Sequence, residues 1–382
     1  MMIKVFLLCP TLGKINRGIE SFTRECFEAL LKVNSLDVTL FKGCGNSTSK
    51  DITLGTLHRD SSVAVFMANS LNLINKKLNP QLVEHGSFFL SLLPYIYLKK
   101  PDVIYFSHYA LGNLLWHWQR RTKQSYKLLF RNGGPTGGEA LKTLKFRFDR
   151  IQQLAPIHYK EALDVGIPDE KQSLIPNAIN MSRTLQLLSL PDKKVLRRNL
   201  GLPEECSLVI SVGALNKSHK RMDYIIRELF ALPEPRPYLL LIGQTQEETP
   251  EIFKLGNDLL GSKNFKTINV KKENMEKYYK VADIFILASL KEGLPRVCLE
   301  AMSHGLPCLV HDYETTRFIL GKEGYFTDLK LEGSLSNLLF RVLGEANILS
   351  KRKLYHQTVY DRFSWNKLLP DYVRLIEQCA NS

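Results

Sequence analysis

Two glutamates eight residues apart, Glu292 and Glu300, bracket the stretch Glu292-Gly-Leu-Pro-Arg-Val-Cys-Leu-Glu300, and a knot of bases, Lys217, Lys220 and Arg221, stands upstream. Ionised carboxylates accept hydrogen bonds from hydroxyls, which suits a neutral polyhydroxylated ligand. Ammonium and guanidinium groups neutralise a diphosphate. A third element of the same chemistry is Thr11-Leu-Gly13-Lys-Ile-Asn-Arg-Gly18-Ile-Glu20, a glycine-bearing loop ahead of an amphipathic run. Free amides and the positive dipole end of a helix receive an anion there, and Gly18 lets backbone approach it closely. The loop is not G-x-G-x-x-G, which disfavours a dehydrogenase. Each motif also has a plain reading: chance spacing for the glutamates, a solvated loop for the bases, a simple turn for the glycines.

The flanking elements argue for position. Ala282-Asp-Ile-Phe-Ile-Leu-Ala288 has no period-2 alternation and reads as a parallel strand buried on both faces, so Glu292 follows the carboxyl end where ligands of such sheets gather. Pro295 suits a first helical position, Gly305 and Pro307 close the helix, and Glu300 falls in its second turn. The bases 217–221 follow Leu208-Val-Ile-Ser-Val-Gly213 in the same way. Strands are predicted at Ile3–Leu8, Val38–Phe41, Val63–Phe66, Val103–Phe106, Lys127–Phe130, Leu154–His158 and Ser173–Ile175. A second set is predicted at Ser207–Val212, Tyr238–Ile242, Thr267–Val270, Asp283–Ala288 and Pro307–Val310. Helical patterns separate most of them, and such alternation means α/β, doubly wound parallel sheets. The junction falls between Asn177-Ala-Ile-Asn180 and Gly201-Leu-Pro203, giving domains over 1–180 and 200–360. At 382 residues the chain suits two cores.

The carboxylate segment strongly resembles the Glu-x7-Glu signature of retaining GT-B glycosyltransferases, family 4. Further similarities run in order along nearly the whole chain. The loop at Gly18 resembles the family's Gly-Gly-x-Glu with Arg17 in place of the first glycine. Lys220 matches the lysine of Gly-Arg-x4-Lys-Gly, while Ala214 stands at the arginine, so that Lys217 or Arg221 is left to substitute. Ile175-Pro-Asn-Ala-Ile-Asn180 resembles Ile-Pro-Asn-Gly-Val-Asp, and Asn132 aligns with a histidine that touches the donor sugar. The resemblance implies a GT-B fold: two Rossmann-like domains facing a cleft, with a helix over 365–382 returning to the first. It implies a hexosyl transfer from a UDP- or GDP-linked sugar to a glycan, lipid-linked oligosaccharide or glycolipid, with retention. Lys220 would meet the departing diphosphate, helped by Lys217 or Arg221 and the amides near Gly18. Glu292 would hold the sugar and Glu300 the ribose, with Gly293, Leu294 and Pro295 lining the donor. No D-x-D triplet occurs, and neither metal nor cofactor is expected.

Composition sets the remaining bounds. Seven scattered cysteines without C-x-x-C argue against disulfides and zinc, and point to a cytoplasmic setting. Met1–Cys9 reads as a strand rather than a leader, and the apolar run Phe88–Leu98 is too short to span a bilayer. The net charge of +14 is concentrated early, with 23 Lys/Arg against 14 Asp/Glu in residues 1–178. No nucleic-acid motif accompanies it, and nucleic acid is not an expected partner. Lys142, Lys145, Arg147 and Arg150, interleaved with apolar residues in Leu141–Arg150, could instead lie on anionic headgroups, giving peripheral membrane contact. His219 is the better ligand candidate among the histidines; His304 reads as favourable charge at a helix end. Two rival functions remain open, a GT-B sugar-nucleotide epimerase and a nucleic-acid or membrane binding protein with a degenerate site.

Overall fold

The structure, a computed structural model, describes residues 2–15, 17–72, 79–133 and 147–382. The chain divides into two units, Met1–Ala178 with Leu368–Ser382, and Ile179–Lys367. In the first, strands β1 (Ile3–Cys9), β2 (Leu36–Lys42), β3 (Asp51–Thr53), β4 (Val103–Phe106), β5 (Lys127–Asn132), β6 (Arg150–Gln153) and β7 (Gln172–Leu174) form one sheet. Their order is β3-β2-β1-β4-β5-β6-β7 and every pairing is parallel. The helices around it include α1 (Gly18–Leu30), α2 (Ser62–Asn72), α3 (Pro80–Lys99), α4 (Tyr109–Thr122) and α5 (Pro156–Asp164). Val103-Ile-Tyr-Phe106 is buried throughout, as a strand covered on both faces requires. α1 buries Phe22, Cys26, Ala29 and Leu30, the positions its helical period marks.

The second unit repeats the plan with strands β8 (Leu208–Val212), β9 (Tyr238–Ile242), β10 (Phe265–Ile268), β11 (Ile284–Leu287), β12 (Cys308–His311) and β13 (Tyr325–Thr327). Their order is β10-β9-β8-β11-β12-β13, again wholly parallel. Helices α6 (Leu190–Asn199), α7 (Met222–Phe230), α8 (Thr249–Leu260), α9 (Met275–Val281), α10 (Arg296–Ser303), α11 (Glu314–Leu320), α12 (Ser334–Leu343) and α13 (Leu349–Phe363) accompany them. Val209, Leu239, Ile284 and Leu309 from four strands pack with Ile225 and Leu229 of α7 in one core. At its base, buried Asp283 takes Lys193 Nζ at 2.6 Å, Arg197 Nη2 at 2.7 Å and the Leu208 amide at 2.8 Å. Burial pushes the Asp283 carboxyl up, but the two cations outweigh it and hold it below the usual carboxylate value.

Two Rossmann-like sheets are what the sequence predicts, and the helix α14 (Trp365–Ala380) places Leu368 onward in the first unit. Its Tyr372 is fully buried there, accepting from Gln152 Nε2 at 3.1 Å and donating to the Pro176 carbonyl at 2.7 Å. Two predicted strands are corrected. Val63–Phe66 lies in α2, whose apolar residues continue at helical spacing through Ala64 and Ala68, both fully buried. Leu154–His158 gives way to a strand ending at Gln153, because Ala155 caps α5 and Pro156 starts it.

Candidate functional site

In a sheet of order 3-2-1-4-5-6 the loops leaving the first and fourth strands diverge to opposite faces, and ligands settle in the crevice they leave. The second unit places the basic loop 213–221 after β8 and the carboxylate loop 288–295 after β11, and these strands are neighbours. From those loops Lys220 and Glu292 come together: Lys220 Nζ donates to Glu292 Oε1, with both side chains largely buried. His219 Nε2 lies 3.6 Å from the same oxygen and 3.3 Å from the Lys291 carbonyl.

The loop is built to aim Lys220. Asn216 Oδ1 accepts from the amides of His219 at 3.2 Å and Lys220 at 2.7 Å, folding the chain back before α7. The lysine stem then lies along the strand exit, where a Cβ on Gly213 would come within 2.9 Å of Lys220 Cε. Gly243, leaving β9, is tighter still: a Cβ there would fall 1.6 Å from the Gly213 carbonyl oxygen. Tyr313 donates to the Glu292 carbonyl at 3.3 Å, and burial raises its phenol far above the ordinary value, so it stays a donor.

The other bases diverge. Lys217 pairs with Glu251 on the surface, and its amide donates to Glu248 Oε2 at 2.5 Å. Arg221 donates to the Leu329 carbonyl at 2.6 Å and stacks 4.3 Å over Tyr224. Only Lys220 of the three meets Glu292 here. Pro295 is the cap of α10 rather than its first residue, behind Gly293 and Leu294, and Glu300 is in the second turn. Glu300 accepts from Tyr279 Oη at 3.1 Å, with Arg296 Nε 4.0 Å from its other oxygen. His304 stacks on Tyr279, and burial lowers its pKa. Burial thus opposes the positive charge expected of this ring at the helix end, where its Nδ1 is hydrogen-bonded with the Glu300 carbonyl at 2.9 Å.

In the first unit Gly18 opens α1, and Glu20 clamps the preceding loop, accepting from Thr11 Oγ1 at 2.5 Å and the Arg17 amide at 3.1 Å. The glycine that close packing demands is Gly13, at φ 94°, where a Cβ would lie 2.1 Å from the Cys44 carbonyl oxygen. Asn132 is buried, donating to Gln153 at 2.8 Å, and Gln153 donates to Gln172 at 2.8 Å. It is a rung in an amide ladder across β5, β6 and β7. Its neighbour Arg131 grips Asn177 Oδ1 at 2.6 and 3.0 Å, a contact the sequence reading missed. Asn216, Tyr279 and Tyr313 were missed as well; only the Asn-x-x-His-Lys spacing carried any local signal, that of a side chain capping backbone amides. Lys142 and Lys145 lie outside the described residues.

Residues 192–351 match the family model described as glycosyl transferases group 1, a segment holding both Lys220 and Glu292. Over that segment the chain is similar to the group 1 glycosyl transferases. The chain is 26% identical over 248 residues to alpha-galactosylglucosyldiacylglycerol synthase of Streptococcus pneumoniae, covering 61% of this chain and 62% of that protein. It is 27% identical over 197 residues to the UDP-Gal:alpha-D-GlcNAc-diphosphoundecaprenol alpha-1,3-galactosyltransferase of Escherichia coli, covering 47% and 48%. The matches thus span about half to three-fifths of these relatives. Sucrose-phosphate synthase from Thermosynechococcus elongatus superposes with a TM-score of 0.79 at 17% identity, covering 98% of each chain. HepE of Anabaena, solved with UDP and glucose, gives 0.74 at 13% identity over 98% and 99%. These likenesses establish the GT-B type of fold, twin Rossmann-like units. Among the described residues no helix is long and apolar enough to cross a membrane.

Proposed function

We propose that the protein is a retaining glycosyltransferase that moves a hexosyl unit from a nucleotide-diphosphate sugar to a hydroxyl of a glycan, lipid-linked oligosaccharide or glycolipid. The observation that carries it is the part-buried Lys220–Glu292 pair at the strand crossover of the segment similar to group 1. A departing diphosphate and a cationic sugar need opposite charges within one small space. Lys220 moves from Glu292 to the phosphates when the donor enters, and Glu292, released, accepts from the sugar hydroxyls. Lys220 thereby supplies the cation that stabilises the leaving group, with no metal required, and Glu300 receives the ribose hydroxyls. Nucleotide complexes among the structural neighbours, such as HepE with UDP, support this choice of donor. The named activities of the S. pneumoniae and E. coli relatives support a lipid-borne acceptor, reached from the cytoplasmic membrane face.

Transfer from a panel of UDP- and GDP-sugars to glycolipid and lipid-linked acceptors tests the assignment. Lys220→Ala and Glu292→Ala should each lower kcat by roughly 10²–10³, the range for removing one preorganised charge at a transition state. Undiminished turnover in both variants would end it. Product formed from the donor without any acceptor would identify an epimerase instead.

A further inference from the structure

The first unit carries a second charged site, on the rim of its sheet opposite the glycine loop. In a parallel sheet the residues just ahead of each strand mark the amino-terminal rim. Lys123 precedes β5, Arg147 and Asp149 precede β6, and Lys171 precedes β7, while the last turns of α4 bring Trp116 and Arg120 beside them. Together they line an open depression of about 470 Å³. The β1–α1 loop leaves the carboxyl ends, so this depression is not part of the ligand edge of that sheet.

Two features separate it from an ordinary solvated basic face. The guanidiniums of Arg120 and Arg147 both stack on the indole of Trp116, at 5.5 and 5.1 Å, which fixes them in place. Arg147 is further held by Asn113 Oδ1 at 2.7 Å. The carboxylate in the lining, Asp149, is already committed to the Leu128 amide at 2.8 Å and lies 3.7 Å from Lys127 Nζ. Arg120, Lys123 and Arg147 therefore have no carboxylate partner among the described residues. Planar, preoriented guanidiniums with spare donors and unneutralised charge match a phosphate oxyanion.

We propose that this depression is a phosphate-binding site, taking a phosphorylated anion at the amino-terminal rim of the first unit's sheet. The proposal is independent of the transferase reading. The same chemistry is offered by a phospholipid headgroup and by a soluble phosphate, and two probes tell them apart. The full chain and its R120Q/R147Q variant are sedimented with phosphatidylcholine vesicles, with and without phosphatidylglycerol, and melted with and without sodium pyrophosphate.

A headgroup source gives binding to the anionic vesicles alone, weakened roughly tenfold or more in the variant, since each base near an anionic surface contributes several-fold. A soluble source gives a pyrophosphate-induced rise in melting temperature that shrinks in the variant, without vesicle binding. Pyrophosphate bound near Lys220 persists in R120Q/R147Q and cancels from the difference. K123Q, with a smaller loss of the same sign, serves where the double variant does not fold. Equal responses in wild type and variants overturn the proposal and leave the Lys220–Glu292 assignment untouched, whereas a wild type that responds to neither probe overturns the proposal and counts against diphosphate binding at Lys220 as well.

Discussion

At the scale of the residue, the strongest constraints are steric and concern glycines that bear no chemistry. A methyl on Gly243 collides with backbone, which cannot yield without separating the exits of β8 and β9. Gly243→Ala should therefore lower stability by about 1–3 kcal/mol or more, read as the denaturation midpoint in urea. Gly213→Ala, strained at φ 159° but meeting the stem of Lys220 rather than backbone, should lose less stability than Gly243→Ala while kcat falls. Equal stability losses in the two variants would show that the stem is not free to swing. Asp283→Ala leaves Lys193 and Arg197 buried without their shared carboxylate, a change that costs about 3–5 kcal/mol. The sequence placed Lys220 and Glu292 at strand exits from hydrophobic runs alone. Charge and spacing alone leave Lys217, Lys220 and Arg221 equivalent, and only the family resemblance singles out Lys220, because what separates them lies in distant partners, Glu251 for Lys217 and the Leu329 carbonyl for Arg221.

At the scale of the element, α3 and the start of α4 hold a pH-sensitive contact. His85 and His108 are buried edge to face with ring centroids 5.1 Å apart, and neither ring nitrogen of His85 has a partner among the described residues. Burial lowers His85 from 6.5 to about 4 and His108 to about 3, with Arg59 also opposing the proton and Glu84 favouring it on His85. Both rings are neutral in the folded state and protonate more readily when unfolded. Stability is thus complete above pH 6.5 and falls as pH drops towards 4, by roughly 3 kcal/mol for His85 alone. Thermal melts from pH 7.5 to 4.5 should show the loss, and His85→Phe should flatten it. Elements were legible where an apolar run was long and bounded, as at Tyr238–Ile242. They were misread where β-branched composition outvoted period, as at Val63–Phe66 in α2, and the three-residue strands Asp51–Thr53 and Tyr325–Thr327 are too short to leave a pattern.

At the scale of the whole molecule, ligand linkage should distinguish the two units. A nucleoside diphosphate held by Lys220 binds the folded second unit, so a hundredfold excess over Kd adds about 2.7 kcal/mol there. Hydrogen exchange should slow in β8, β11 and α10 with UDP or GDP, and protection of β1–β7 alone would contradict the placement of the donor. The division also orders events on the ribosome. The first unit comprises 1–178 and 368–382, so the whole of 179–367 is translated before Tyr372 can reach Gln152 and Pro176. At ~5–20 residues per second that interval is roughly 10–40 s. The lobe begun first is sealed last, and throughout that wait its socket for Tyr372 stands open to chaperones and proteases.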